Sequence, residues 1–223
     1  MFTRTLLPLA LLWGLPAFAI PLYQNDFESL DLTGWSSGEI FLAPNGSTRF
    51  LGLFDRNDST TFTLGGLITG ETINFQFDLY INRSWDGNTS AFGPDIFTVE
   101  VEGGPILLQT TFSNTELPGF EQSFPDPWNP SAPAANAPRT GALATNTLGF
   151  ITEGDTTYRL TLPITPTSSN LVLRFSGFNL QDFTDENWGI DNVIVTSAVP
   201  EPSTAFLLLG GLGLLAFRRH SRR

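Results

Sequence analysis

Ile73-Asn74-Phe75-Gln76-Phe77-Asp78-Leu79-Tyr80-Ile81 alternates apolar and polar side chains without a break. A period of two puts Ile73, Phe75, Phe77, Leu79 and Ile81 on one face of an extended chain and Asn74, Gln76, Asp78 and Tyr80 on the other, which is the pattern of a half-buried β-strand. The same rhythm recurs on both sides of it. Phe97, Val99 and Val101 alternate with Thr98, Glu100 and Glu102; Tyr158, Leu160 and Leu162 with Thr157, Arg159 and Thr161; Leu171, Leu173 and Phe175 with Val172, Arg174 and Ser176. Shorter candidates are 40–43, 49–54, 60–64, 106–112 and 192–197. Such strands, separated by Gly, Asn, Asp and Pro turns with no amphipathic helical run between them, predict an all-β, antiparallel two-sheet sandwich. A jelly roll is the first expectation and an immunoglobulin-type sandwich the alternative, with two Phe-, Leu- and Ile-rich inner faces supplying the core.

One stretch breaks the rhythm. Residues 113–148 hold six prolines and the aromatics Phe120, Phe124 and Trp128. A loop of that length reads either as a flap that shapes a ligand groove or as a surface segment whose aromatics cover a sheet edge.

Both ends of the chain read as export signals. Arg4, an apolar stretch from Leu6 to Leu15 and the small-x-small run Ala17-Phe18-Ala19 predict a secretory signal peptide over residues 1–19. At the other end, Pro200-Glu201-Pro202 precedes an apolar run over residues 205–217, followed at once by Arg218, Arg219, His220, Ser221, Arg222 and Arg223. Prolines stop a strand from running on into the apolar segment, and the arginines hold its far end on the cytoplasmic side. The run has 13 residues, including Gly210, Gly211 and Gly213. A full helical span needs about 20 residues, so the segment is a marginal membrane helix, suited to transient anchoring. Pro-Glu-Pro, a short apolar helix and an arginine cluster, in that order, resemble the PEP-CTERM sorting tail of Gram-negative bacteria. The resemblance implies recognition and cleavage by an exosortase-type enzyme, and display at the cell surface or in the extracellular matrix after an inner-membrane-anchored precursor. An ordinary C-terminal membrane anchor is the alternative.

Residues 20–197 then form the ectodomain, long enough for one well-packed domain and short for two. They carry 6 Arg against 21 Asp and Glu, a net charge near −15. Such a surface repels phosphate backbones, which excludes nucleic acid as a partner, and favours divalent cations. The chain has no Cys and no Lys, and its one His is His220 in the tail. No Ser-His-Asp triad, Cys nucleophile, lysine Schiff base or His/Cys zinc site can therefore be built within 20–197. Carboxylates, amides and hydroxyls carry whatever chemistry there is.

Two carboxylate groupings suit calcium, which takes hard oxygens from irregular loops. The first is Asp78 on the central strand with Asp86 and Asp95 in the following loop, although Asp86-Gly87 also suits a plain hairpin turn. The second joins the two ends of the domain: Asn25-Asp26-Phe27-Glu28, then Gly34-Trp35, and at the last strand Ile190-Asp191-Asn192-Val193. These terminal motifs resemble the calcium-bearing jelly rolls of carbohydrate-binding and MAM-like extracellular modules. The resemblance implies calcium ligation by Asp26, Glu28, Asp191 and Asn192, an ion that would staple first strand to last in place of disulfides. Asp191 could instead cap a turn. For sugar contact, Trp85, Trp128 and Tyr80 stand beside polar residues, Trp85 and Trp128 being read as the exposed pair and Trp35 and Trp188 as packing residues.

The functional expectation is an exported, non-catalytic surface or matrix protein that associates with extracellular polysaccharide and is stabilised by calcium. The rival is a polysaccharide hydrolase or lyase working through paired carboxylates. A purely structural or adhesive role is a third possibility.

Overall fold

The computed structural model describes residues 21–197. The expected signal peptide at 1–19 and sorting tail at 198–223, with Pro200, Glu201, Pro202, Arg218, Arg219 and the apolar segment 205–217, lie outside the described residues. Among the described residues no helix is long and apolar enough to cross a membrane.

The strands are β1 (Pro21–Asn25), β2 (Glu39–Leu42), β3 (Arg49–Phe54), β4 (Ser59–Leu64), β5 (Ile73–Arg83), β6 (Ile96–Val101), β7 (Ile106–Thr111), β8 (Ala144–Thr145), β9 (Asp155–Ile164), β10 (Leu171–Phe178) and β11 (Glu186–Ser197). The alternating stretch Ile73–Ile81 is the first nine residues of β5. Two short strands carry no alternation that could have announced them: β1, which leans on β11, and the two-residue β8.

All pairings are antiparallel, and they form two sheets. One has seven strands, with the path β2-β3-β11-β5-β9-β8 and β1 beside β11; the other has the order β4-β10-β6-β7. The pairs β3·β11, β4·β10, β5·β9 and β6·β7 are the rungs of one long hairpin whose arms cross from sheet to sheet as it is wound up. That is the jelly roll, not the immunoglobulin arrangement. Its consequence is that the last strand lies beside both the first arm and the central strand.

The inner faces pack as the period of two requires. Phe75, Phe77 and Leu79 of β5, Tyr158 of β9 and Trp188 and Ile190 of β11 meet Phe62, Phe97, Val99, Leu173 and Phe175 of the other sheet, all buried. Phe175 touches Phe75 and Phe77 across the sandwich, with ring centroids 5.7 and 5.5 Å apart. A second apolar cluster, Ala43, Phe50, Tyr80, Leu148 and Phe150, lies on the outer face of the seven-stranded sheet. The segment that brings Leu148 and Phe150 there is held by Asp155, whose two oxygens accept the amides of Thr147, Leu148, Gly149 and Phe150.

The proline-rich stretch after β7 folds back along the edge of the four-stranded sheet. Phe124 N donates to Thr111 O and Trp128 N to Gln109 O, while Phe124 itself packs on the core. Buried Gln122 fixes the segment, its amide nitrogen donating to the carbonyls of Phe124 and Thr140 and its oxygen accepting from Ser113 N and Arg139 N.

Candidate functional site

The last strand builds the first grouping of polar residues. Asp191 stands opposite Asp78 and Ile194 opposite Gln76, so β11 carries one extra residue there. Asn192 takes up the bulge with φ 49°, a left-handed conformation that Asn tolerates. The bulge re-aims the strand: Asp191 and Asn192 both reach residues of the outer face, while Val193 returns to the core. Asp191 Oδ2 accepts from Tyr80 OH at 2.7 Å, and Oδ1 from Asn192 N at 2.7 Å. Asn192 Nδ2 donates to Asp78 Oδ2 at 2.9 Å. Burial pushes the Asp191 carboxyl up to about 6 against the pull of its hydrogen bonds, and burial together with the neighbouring Asp191 charge drives the Tyr80 phenol far above its ordinary range.

The amino-terminal motif meets this node through Thr48. Its Oγ1 lies 2.9 Å from Glu28 Oε1 and 3.2 Å from Asp191 Oδ2, and Glu28 Oε1 also accepts Arg49 N at 2.7 Å. A hydroxyl has one proton to give, so two carboxylate oxygens converge on a group that can satisfy only one. Glu28, Thr48 and Asp191 therefore offer a cation three oxygens from three distant parts of the chain. Asp26 does not join them; it is exposed and its Oδ1 accepts the Glu28 amide in a local turn. Asn192 turns its amide to Asp78 instead.

The other expected grouping is rearranged. Asp78 sits mid-strand on the outer face, gripped by Arg159, and the five remaining residues of β5, roughly 16 Å of extended chain, carry the loop that holds Asp86 away from it. The partner that completes Asp86 and Asp95 is Glu186, the first residue of β11. Asp86, Asp95 and Glu186 are 8, 0 and 0% exposed and offer oxygens that all lie within 4.8 Å of one another. Among the described residues this is the one cluster of three or more such groups. Burial raises all three carboxyls, Asp86 to about 6, and the charge of Asp95 raises Glu186 further while that of Asp86 raises Asp95. The loop is not a tight hairpin either: Asp86 bridges to Ser113, and Asp95 N donates to Gly87 O.

Trp85 is fully buried, with Nε1 donating to Asn187 O at 3.0 Å, and Tyr80 is buried under Phe50, so neither offers a ring to a sugar. Trp188 is buried and half-buried Trp35 packs on the core, as packing residues. Trp128 is likewise half-buried but belongs to neither apolar cluster. It stands at the edge of the four-stranded sheet, whose outward positions Thr61, Arg174, Glu100, Thr98 and Gln109 run across adjacent strands. An open cleft of about 280 Å³ lies at the β2–β3 edge, lined by Glu39 and Asp58 among others, away from every residue singled out in the sequence.

No curated protein matches the chain by sequence. Among solved structures, a family GH115 4-O-methyl-α-glucuronidase with specificity for decorated arabinogalactans aligns at 14% identity and TM-score 0.41, over 84% of this chain and 19% of that one. This chain thus spans about a fifth of that enzyme's length. The K3 cleaved adhesin domain of Lys-gingipain from Porphyromonas gingivalis w83 aligns at 13% identity and TM-score 0.41, over 81% and 100%. A carbohydrate-binding module specific for non-crystalline cellulose, CBM28, aligns at 16% identity and TM-score 0.41, over 78% and 92%. Residues 198–223 match the PEP-CTERM protein-sorting motif, so the jelly roll belongs to an exported protein with a C-terminal sorting tail.

Proposed function

We propose that this is a non-catalytic component of the cell surface or extracellular matrix that associates with exopolysaccharide, after exosortase-type processing of a precursor held transiently at the membrane by residues 205–217. The observation that carries the reading is the outer face of the four-stranded sheet. Thr61, Thr98 and Gln109 give hydroxyls and an amide, Arg174 is paired to Glu100 and Glu102, and half-buried Trp128 stands at the β7 end of the row. Amphipathic rings beside fixed donors and acceptors suit a polyhydroxylated chain. The rival hydrolase or lyase needs two carboxylates within reach of a sugar ring, and the tightest carboxylate cluster that the fold assembles, Asp86, Asp95 and Glu186, is buried. A calcium ion held by Glu28, Thr48 and Asp191 would tie the amino-terminal arm to the final strand.

Native electrophoresis of the full chain through gels containing single neutral or acidic polysaccharides tests the reading. Retarded migration in at least one gel, lost in Trp128→Ala, is the expected result; unchanged migration in all of them overturns it. With so acidic a surface, retardation by an acidic polysaccharide should require calcium.

A further inference from the structure

Three chain segments meet at the end of the sandwich where β5 leaves, β6 enters and β11 begins. Ser84 N and Oγ both donate to Asp185 O, and Gln181 Nε2 donates to Phe92 O, so the loop after β5 is laid against the segment before β11. Asp86, Asp95 and Glu186 point into the space beneath. Among the described residues none of them forms an ion pair with an arginine, and burying three carboxylates without a countercharge costs several kcal/mol each.

Part of their hydrogen-bonding capacity is accounted for. Asp95 Oδ2 accepts the Asp86 amide, Glu186 Oε2 accepts Gln181 N at 2.7 Å and Asp86 Oδ1 accepts from Thr115 Oγ1 at 3.3 Å. Among the described residues Asp95 Oδ1 and Glu186 Oε1 find no hydrogen-bond partner, although both residues are wholly buried. Gly93 keeps the space beside Asp95 clear: a Cβ there would stand 2.9 Å from Asp95 Oδ1 and 3.1 Å from Thr89 O. Unpartnered anionic oxygens in a dry interior require either a positive charge or protons.

We infer that Asp86, Asp95 and Glu186 are ligands of a hard divalent cation of the calcium class, which fastens the β5–β6 loop to the start of β11. An all-oxygen donor set with no nitrogen or sulfur selects calcium, magnesium or manganese over zinc and copper, and irregular loops suit the flexible coordination of calcium. The site is separate from the Glu28–Thr48–Asp191 node and stands whether or not that node binds an ion.

Equilibrium dialysis of the chelator-stripped full chain against calcium counts the ions. Glu186→Gln and Asp95→Asn should each bind one calcium fewer per chain than the wild type. At about 100 times its dissociation constant, one such ion should raise the melting point by about 5–10 °C in the wild type and give no such increment in the variants. In chelator, Glu186→Gln should melt at or above the wild-type temperature, because it removes a buried charge; that measurement also shows that the variant is folded. Equal calcium stoichiometry in wild type and variants overturns the inference and assigns any bound ion to other groups, such as Glu28 and Asp191. A wild type that binds no calcium overturns it in favour of a proton shared between Asp95 and Glu186. Should a variant fail to fold, a terbium soak of wild-type crystals decides: anomalous density between the three carboxylates supports the site, and density confined to other places overturns it.

Discussion

Arg159 closes on Asp78 with two hydrogen bonds of 2.8 Å, Nε to Oδ1 and Nη2 to Oδ2, from directly across the β5–β9 ladder. The Asp78 side chain is only 4% exposed, and Asn192 supplies its remaining side-chain donor. Arg159→Ala leaves a nearly buried carboxylate with a single amide, which should cost about 2–3 kcal/mol and be read as a lower urea midpoint at unchanged slope. Arg159→Lys should fall between the two, since an ammonium keeps the charge and loses the fork.

Gly87 has φ 69°, and a Cβ there would collide with Glu121 O. The proline-rich segment thus passes directly over the β5–β6 loop, and Asn88 N donates to the same carbonyl. Gly87→Ala combines left-handed strain with a collision against main chain, and should lower the unfolding free energy by at least about 2 kcal/mol. A midpoint within error of the wild type would mean that the segment over residue 121 gives way freely.

The period of two made β5 and most of its neighbours legible, because each strand exposes one face and buries the other. What it could not give is which outward positions the rest of the chain covers. Tyr80 reads as an outward polar aromatic and is outward, yet Phe50 and the segment held by Asp155 bury it. Asp78 was grouped with Asp86 by nearness in sequence, whereas an extended strand carries neighbours apart. Glu186 follows Asp95 by 91 positions, and only the winding that lays β11 beside β5 brings them together. The meeting of Glu28 with Asp191 was readable from motifs at the two ends, but Thr48 between them was not, since nothing in its neighbours marks a bridging hydroxyl.

The two loop tryptophans should separate cleanly. Trp85 is enclosed by the core with Phe112 and bonded to Asn187 O, so Trp85→Ala should cost about 3–5 kcal/mol and unfold a large share of the protein at ambient temperature. Trp128→Ala should leave the melting point within a few degrees of the wild type while abolishing retardation in polysaccharide gels. Loss of fold in both variants would make Trp128 a packing residue and remove it from the proposed sugar face.

In chelator, stability should rise as the pH is lowered from neutral. Asp86, Asp95 and Glu186 have folded-state values raised above those of an unfolded carboxyl, so the folded chain holds protons that the unfolded one has released. Their favourable contribution is complete below about pH 4 and is lost as the pH rises, through about 6 for Asp86 and higher for the other two. Asp31 and Asp182, lowered by hydrogen bonds from Thr33 and Thr184, act oppositely and are lost at the acid end. Melting points against pH should therefore peak on the acid side in chelator. Calcium should lift the neutral and alkaline arm, because the ion competes with the same protons. Coincident curves with calcium and with chelator would remove the competition.

Hydrogen exchange can tell the node at the domain ends from the one under the β5–β6 loop. Glu28, Thr48 and Asp191 join the turn after β1, the residue before β3 and the bulge in β11, so an ion there should slow exchange of the amides at 23–28 and 192–195. That protection should persist in Glu186→Gln and vanish in Glu28→Gln and Asp191→Asn. Thr48→Val, which keeps the shape and removes the bridging oxygen, should weaken calcium binding without unfolding the chain, since its side chain lies near the surface. If the β1 amides exchange at one rate with calcium and with chelator, the two ends are held by hydrogen bonds alone: the β1–β11 ladder, Thr48 Oγ1 to Glu28, and Tyr80 OH to Asp191.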